Sequence, residues 1–419
     1  MTYTISSTAV GTGASILSVK TTSYSVLLSD AGSVIPVDVT SNLVDIILPA
    51  ASVGFCITVE DSKGLATALK PITVAVAKVG SAKLNGVSLG EINIIEANTS
   101  ITLISNGVDW YTMGGLIWQT TISLQVSRGL FFGGSTGSAV NAIDYIQMAT
   151  TNNSSTFGEL ATAATEAGAC SSATRSIIAG GGDTKVSIEY VTLATTGNST
   201  SFGNLVGTTG TSGCVGLSSS TRGVFRHGNY GGTFTNVLSY ITIASTGNST
   251  DFGDAISTPT NSASVTSPTI GVFSGGKTAS STYTNVIGYI TIATVGNETD
   301  FGDLITAVNY ICGMSSSTIG IMGGGNDGSN YHNVLQYITI ASLGNSTDFG
   351  DLSIKCFRAA GCSSKIKGIV QLGYNTAGAA RTNIIEYVII ATLGNSVDFG
   401  DLTAARSDTA GTSGCHGGI

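Results

Sequence analysis

Residues 335–352 read LQYITIASLGNSTDFGDL. The stretch Tyr337–Ala341 is rich in β-branched residues, as strands prefer. Gly344-Asn345, flanked by Ser342 and Ser346, supplies a tight turn. Thr347–Leu352 then reads as a short return strand. The same segment occurs five more times: IDYIQMATTNNSSTFGEL from Ile143, IEYVTLATTGNSTSFGNL from Ile188, LSYITIASTGNSTDFGDA from Leu238, IGYITIATVGNETDFGDL from Ile287 and IEYVIIATLGNSVDFGDL from Ile385. In every copy a phenylalanine stands 12 residues after the tyrosine, from Tyr145 and Phe157 to Tyr387 and Phe399. A spacing that never varies implies a fixed hairpin. Copies 45 to 50 residues apart imply a repeat architecture.

Upstream of each tyrosine lies a second constant strand. It reads RGLFFGG from Arg128, RSIIAGG from Arg175, RGVFRHG from Arg222, IGVFSGG from Ile270, IGIMGGG from Ile319 and KGIVQLG from Lys367. The double glycine is lost twice, to His227-Gly228 and Leu372-Gly373. Before it comes a strand of small residues, such as GACSSAT from Gly168. Each unit is therefore expected to hold four strands. The order Gly-Gly, Tyr, aromatic, Leu and basic residue resembles the kelch repeat. That resemblance covers residues 128–419 and implies a β-propeller with one four-stranded blade per unit. Phe stands here where kelch repeats usually carry Trp.

The first unit opens at Arg128 on its Gly-Gly strand and lacks a small-residue strand. A segment near Thr412–Gly418 is expected to supply it, closing six blades without an unpaired edge. Residues 1–115 do not repeat. They read as short strands at Tyr24, Ser33, Val44, Phe55, Ile72, Ile92 and Ile101, spaced as in a small β-sandwich or barrel. Residues 116–127 are expected to be a linker, with Trp118 packed at the junction. The whole chain is thus expected to be all-β: a small N-terminal sandwich or barrel, then a six-bladed kelch-like propeller closed by the C-terminal strand.

Composition agrees with this class. Glycine accounts for 56 of 419 residues, and charged residues for 10% against about 25% in an average protein. Heptads, collagen periodicity and a disordered composition are excluded. The net charge of −8 with 17 Lys and Arg argues against nucleic acid as a partner. No apolar run is long enough to span a membrane. MTYTISSTAV lacks the basic and apolar regions of a secretory signal. The seven cysteines include no CxxC pair, so neither a disulfide framework nor a zinc site is expected.

The run SYSVLLSDAGSVIPVDVTSNLVDIILPAA from Ser23, and SITLISNGVDWYTMGG from Ser100, resemble a domain of bacteriophage tail fibres and related virion appendages. The GNSTDFGDL-type repeat is similar to repeats of phage structural proteins. The resemblance implies a virion protein made in the host cytoplasm, with other virion proteins as partners, a homo-oligomeric state, and a host surface glycan or protein as a further partner.

Candidate chemistry is sparse. The pairs Asp251/Asp254, Asp300/Asp303, Asp348/Asp351 and Asp398/Asp401 belong to different units and do not converge as a glycosidase requires. They are expected to bond turn amides. His227, His332 and His416 lack metal spacing, and His227 is expected simply to replace a glycine. Cys170 and Cys362 alternate with Leu217, Val265 and Met314 in one slot, as buried hydrophobes do. No catalytic residue, metal or cofactor is expected.

The informative variation lies between the double glycine and the tyrosine strand, where loop length changes from unit to unit. These loops are expected to share a face with the segments entering the small-residue strands. Candidate ligand-binding residues there are Tyr230, Phe234, Tyr283, Asn326, Asp327, Tyr331, His332, Tyr374 and Arg381. The expected function is non-enzymatic: a tail fibre or appendage whose propeller binds host surface or a neighbouring virion protein. The alternatives are a capsid, collar or baseplate decoration protein, and a glycan depolymerase.

Overall fold

The computed structural model describes residues 16–41, 44–52, 55–63, 66, 72–76, 83–84, 87–88, 91–94, 100–106, 108–113, 128–182, 185–206, 210–230, 233–279, 282–375 and 380–414. The expected linker 116–127, Trp118 and His416 lie outside them. The chain divides into two compact units, Met1–Leu124 and Gln125–Ile419. The described residues are strands, turns and one 3-10 turn at Leu28–Asp30. Among them no helix is long and apolar enough to cross a membrane.

The N-terminal unit contains a four-stranded and a six-stranded sheet around one core. Val34–Val37 pairs in parallel with Cys56–Asp61, and Val44–Leu48 pairs in parallel with Ile72–Val76. The first five strands go to alternate sheets and their neighbours within a sheet run the same way, whereas Cys56–Asp61 pairs antiparallel with Ser100–Ser105 and Ile72–Val76 with Glu91–Ile94. Ile35, Val37, Ile46, Leu48, Ile57 and Val74 are buried between the sheets. The segment from Ile101 is a hairpin rather than one strand: Ser100–Ser105 pairs antiparallel with Trp110–Met113. Asn106 makes its turn, accepting from the amides of Val108 and Asp109 through Oδ1.

The repeat unit holds six four-stranded antiparallel sheets that resemble propeller blades. In the second sheet the order is Gly168–Ser171, Arg175–Ala179, Ser187–Thr192 and Thr200–Asn204. The small-residue strand lies innermost and the phenylalanine strand outermost. Four further sheets follow this order with inner strands Val215–Ser218, Ala263–Thr266, Cys312–Ser315 and Ala360–Ser363. In the first sheet, Ala410–Ser413 pairs antiparallel with Arg128–Phe132. The C-terminal strand therefore ends at Ser413, short of the expected Thr412–Gly418. In five of the six sheets the inner strand begins 11 residues after the phenylalanine, as from Phe157 to Gly168 and from Phe399 to Ala410; in the third it begins 13 residues after, from Phe202 to Val215.

Each tyrosine packs edge-on against its phenylalanine, at centroid distances of 5.9 to 6.1 Å. The phenylalanines are buried and belong to six apolar clusters, each spanning two successive sheets. One cluster joins Phe399 and Ile369 of the sixth sheet to Phe131 and Ile146 of the first. The expected aspartate bonds to turn amides are replaced by a different link. Asparagines of the Gly-Asn turns reach back to the preceding sheet: Asn297 Oδ1 accepts from the Asp254 amide at 2.9 Å, and Asn345 Oδ1 from Asp303 at 2.9 Å. Asn153 Oδ1 accepts from Asp401 at 3.0 Å, linking the first sheet to the sixth. Asp251 and Asp254 themselves are exposed on the outer strand.

Glycine pairs Gly133-Gly134, Gly180-Gly181, Gly275-Gly276 and Gly324-Gly325 all take positive φ. His227 and Leu372 cannot follow cheaply, and their two units differ in consequence. There the chain continues as a small hairpin, Asn229–Tyr230 with Thr233–Phe234 and Tyr374–Asn375 with Ala380–Arg381.

Candidate functional site

The segments that lead into the inner strands converge at one end of the sheets. Each makes a left-handed turn at an equivalent position, at Glu166, Gly213, Asn261, Tyr310, Arg358 and Asp408, with φ between 54° and 67°. The five of these that are not glycine are the only non-glycine residues with positive φ among the described residues. Glycine would adopt this backbone freely, whereas another L-residue is strained by about 1–2 kcal/mol. The turn carries a backbone circuit. Asn261 N donates to Gly213 O, Tyr310 N to Asn261 O, Arg358 N to Tyr310 O, Asp408 N to Arg358 O, Glu166 N to Asp408 O and Cys214 N to Glu166 O, at 2.7 to 3.2 Å.

The side chains at this ring form a second network. The Arg358 guanidinium donates through Nη1 to both carboxylate oxygens of Asp408, at 3.1 and 2.9 Å. Tyr310 Oη donates to Glu166 Oε1 at 2.9 Å, and Ser212 Oγ donates to Glu166 Oε2 at 2.6 Å. Burial, and then the Glu166 charge, push the Tyr310 phenol above its ordinary range, so it remains a donor. Beneath lies a cavity of about 120 Å³ with walls from all six sheets, including Ala169, Gly216, Ser264, Gly313, Gly361 and Gly411. Ligand pockets for drug-sized molecules run to roughly 300–1,000 Å³. This cavity is therefore too small for a drug-sized ligand. Deeper in, a hydroxyl ladder joins neighbouring inner strands: Ser218 Oγ donates to Ser171 O, Thr266 Oγ1 to Ser218 O and Ser413 Oγ to Ser363 O. Ser171 Oγ donates to Ser413 O.

The variable loops lie beside this ring. Each described loop folds back onto the segment before the left-handed residue: Ser212 faces Asn229, Thr260 faces Lys277, Asn309 faces Asn326, Phe357 faces Tyr374 and Ser407 faces Ser135. Phe234, Tyr283, Tyr331 and Arg381 occupy one equivalent position, paired with Asn229, Lys277, Asn326 and Tyr374. Tyr230 lies in the backbone of the third unit's hairpin. The backbone segments that carry these candidates thus lie next to the segments that enter the inner strands.

They are not equally free. Tyr283 packs under the next loop, where a Cβ on Gly328 would meet its ring at 2.6 Å. Asp327 accepts from the amides of Ser329 and Asn330 at 2.8 and 2.6 Å, and pairs with His332 Nε2 at 3.1 Å. Those bonds hold its carboxyl well below the usual range and rigidify the loop. Arg381 Nη2 donates to Ser135 Oγ at 3.3 Å. Tyr331 and Tyr374 are brought together by Phe357, at 5.0 and 5.3 Å. Phe357, Arg358, Tyr310, Glu166 and Asp408 were not among the candidates. The signal lay in the register: the residue nine after the phenylalanine is charged or aromatic in four units and Asn in a fifth, while in the third unit the equivalent residue, Gly213, stands eleven after Phe202.

His227 is buried and its Nε2 lies 2.8 Å from Ser239 Oγ, with burial pushing it down to about 4. Cys170 and Cys362 are buried in the predicted slot, where desolvation raises the Cys170 thiol above its ordinary value. Compared with known proteins, the chain matches no family model and no curated sequence.

Proposed function

We propose that the six sheets close into a kelch-like β-propeller completed by the C-terminal strand, and that this propeller is the display module of a non-enzymatic bacteriophage virion protein. The best-fitting appendage is a tail fibre or a relative of one, carried on the particle after synthesis in the host cytoplasm. On this reading the N-terminal β-unit anchors the chain to the particle or to sister copies in a homo-oligomer. The propeller face around the cavity mouth meets a host surface glycan or protein, or a neighbouring virion protein.

One observation carries the binding role: strained, chemically diverse side chains gather where glycine would satisfy the backbone. Asn261 and Asp408 tolerate this backbone readily, but Glu166, Tyr310 and Arg358 do not, and a position held at such cost in three of six copies supports a use beyond folding. The dispersed carboxylates support the non-enzymatic reading, since each pair lies on the outer strand of a different sheet. The mutual satisfaction of Arg358, Asp408, Tyr310 and Glu166 favours a second reading, a capsid, collar or baseplate decoration protein whose propeller is purely structural.

Cryo-electron microscopy of particles labelled with an antibody fragment against the repeat unit separates the two. Label at the tip of a tail appendage is expected. Label on the capsid, collar or baseplate selects the second reading. Purified particles that lack the chain overturn both.

A further inference from the structure

We infer that the outward face of Tyr331, held from beneath by Phe357 and Tyr374, takes the C–H face of a hexopyranose within a glycan chain. The inference rests on the proposed use of this face for recognition and names the partner class. Tyr331 and Phe357 lie 5.0 Å apart and are inclined by 32°, and Tyr374 stands 5.3 Å from Phe357. Phe357 is backed by Tyr310 at 6.0 Å, and the Arg358 guanidinium lies 4.6 Å from the Tyr310 ring.

The fold does not require this ridge. The positions equivalent to Phe357 are Thr165, Ser212, Thr260, Asn309 and Ser407. In a repetitive scaffold, what repeats answers to packing. An aromatic that appears in one unit, beside two more on variable loops, answers to something outside. The ridge is also pre-formed, because Asp327 fixes the loop that presents Tyr331. A fixed platform loses less entropy on binding.

The surroundings favour a sugar over a protein. A pyranose presents C–H groups on its faces and hydroxyls around its edge. Aromatic faces carry negative potential and attract the first, while Asn326, Ser329, Asn330 and Arg381 offer polar partners to the second. A protein interface core needs a contiguous apolar patch. Of the exposed large apolar side chains among the described residues of the repeat unit, only Tyr331, at 40% exposure, lies on these loops.

The test is saturation-transfer NMR on the full chain, with hexasaccharides of glucose, galactose, mannose and N-acetylglucosamine, and with hexagalacturonate as the acidic arm. At least one probe should receive transfer. The Tyr331→Ala/Tyr374→Ala double variant should weaken that Kd tenfold or more while keeping a single cooperative melting transition, and Tyr331→Ala alone should weaken it in the same direction. Leu343→Ala, in a Gly-Asn turn, should bind unchanged. Transfer to none of the probes, or equal transfer to wild type and double variant, overturns the inference. Attachment to host cells separates it from the reading beneath it. If the double variant loses attachment but no saccharide competes with wild type, the face is used and its partner is a protein. If the double variant attaches normally, the face itself is misassigned.

Discussion

Tyr310 donates a hydrogen bond to Glu166 at 2.9 Å, although the two residues lead into inner strands that stand three sheets apart in the order of six. The bond spans the cavity mouth rather than following the circuit of neighbouring backbones. It joins two parts of the repeat that no strand pairing connects.

Tyr310→Phe keeps the ring and its contact with Phe357 but removes this donor. Hydrogen bonds to charged groups contribute about 1.5–3 kcal/mol, and the part-buried site argues for the lower end. Glu166 keeps its bond from Ser212. Denaturant unfolding should show a loss of about 1–2 kcal/mol. Unaltered stability would mean that the bond contributes nothing across the mouth.

His227 predicts an acid sensitivity. The unfolded chain takes up a proton on this residue below about 6.5, whereas burial holds the folded group at about 4. A depressed histidine resists protonation only when folded. Its stabilising contribution is complete above the unfolded value and declines as pH falls toward 4. The decline should approach about 3 kcal/mol, since each pH unit between the unfolded and folded values contributes about 1.4 kcal/mol. Melting from about pH 7 to about pH 4 should therefore fall more steeply in wild type than in His227→Gln. Parallel profiles would contradict the buried, neutral assignment.

The repeat was legible because its spacing is enforced by packing. Tyr240 and Phe252 must meet across one hairpin, so twelve residues separate them in every copy. The slot of Cys170 and Met314 was legible for the same reason, since only burial unites those residue types. The N-terminal strands were legible as strands, but their parallel pairing was not. Alternation shows which face is buried, and it does not say which sheet the next strand joins. The role of Asn297 was hidden because its Oδ1 reaches a neighbouring sheet, a relation with no fixed distance along the chain. Phe357 was hidden because it sits in a segment whose length is the same in five of the six units, where no loop insertion marks it.

Arg406 and Asp144 form a buried pair at 2.7 Å, each side chain 1% exposed. Burial lowers the Arg406 pKa, against the pull of Asp144. Arg406 also donates to the carbonyls of Gly133 and Ala142, tying the segment before the C-terminal strand to the first sheet. Asp144→Ala should cost about 3–5 kcal/mol, because it strands the buried guanidinium. Arg406→Met/Asp144→Leu should cost less than the sum of the single changes. A double-mutant cycle in denaturant checks this, and simple additivity would refute the coupling.

The account turns on whether the six sheets close. Ala410–Ser413 covers the edge of Arg128–Phe132, with Leu130 facing Thr412 and Phe132 facing Ala410. The decisive measurement is amide hydrogen exchange of the 128–132 peptide in the full chain and in a chain ending at Thr409. In the full chain, these amides should be as protected as those of Ile319–Gly323, whose sheet has all four strands continuous in sequence. In the shortened chain, protection there should collapse, the melting temperature should drop and the unfolding free energy should fall by about 4 kcal/mol. Equal protection and equal melting in both chains would show that the edge of the first sheet is not covered by the C-terminal strand, and the closed propeller would be wrong.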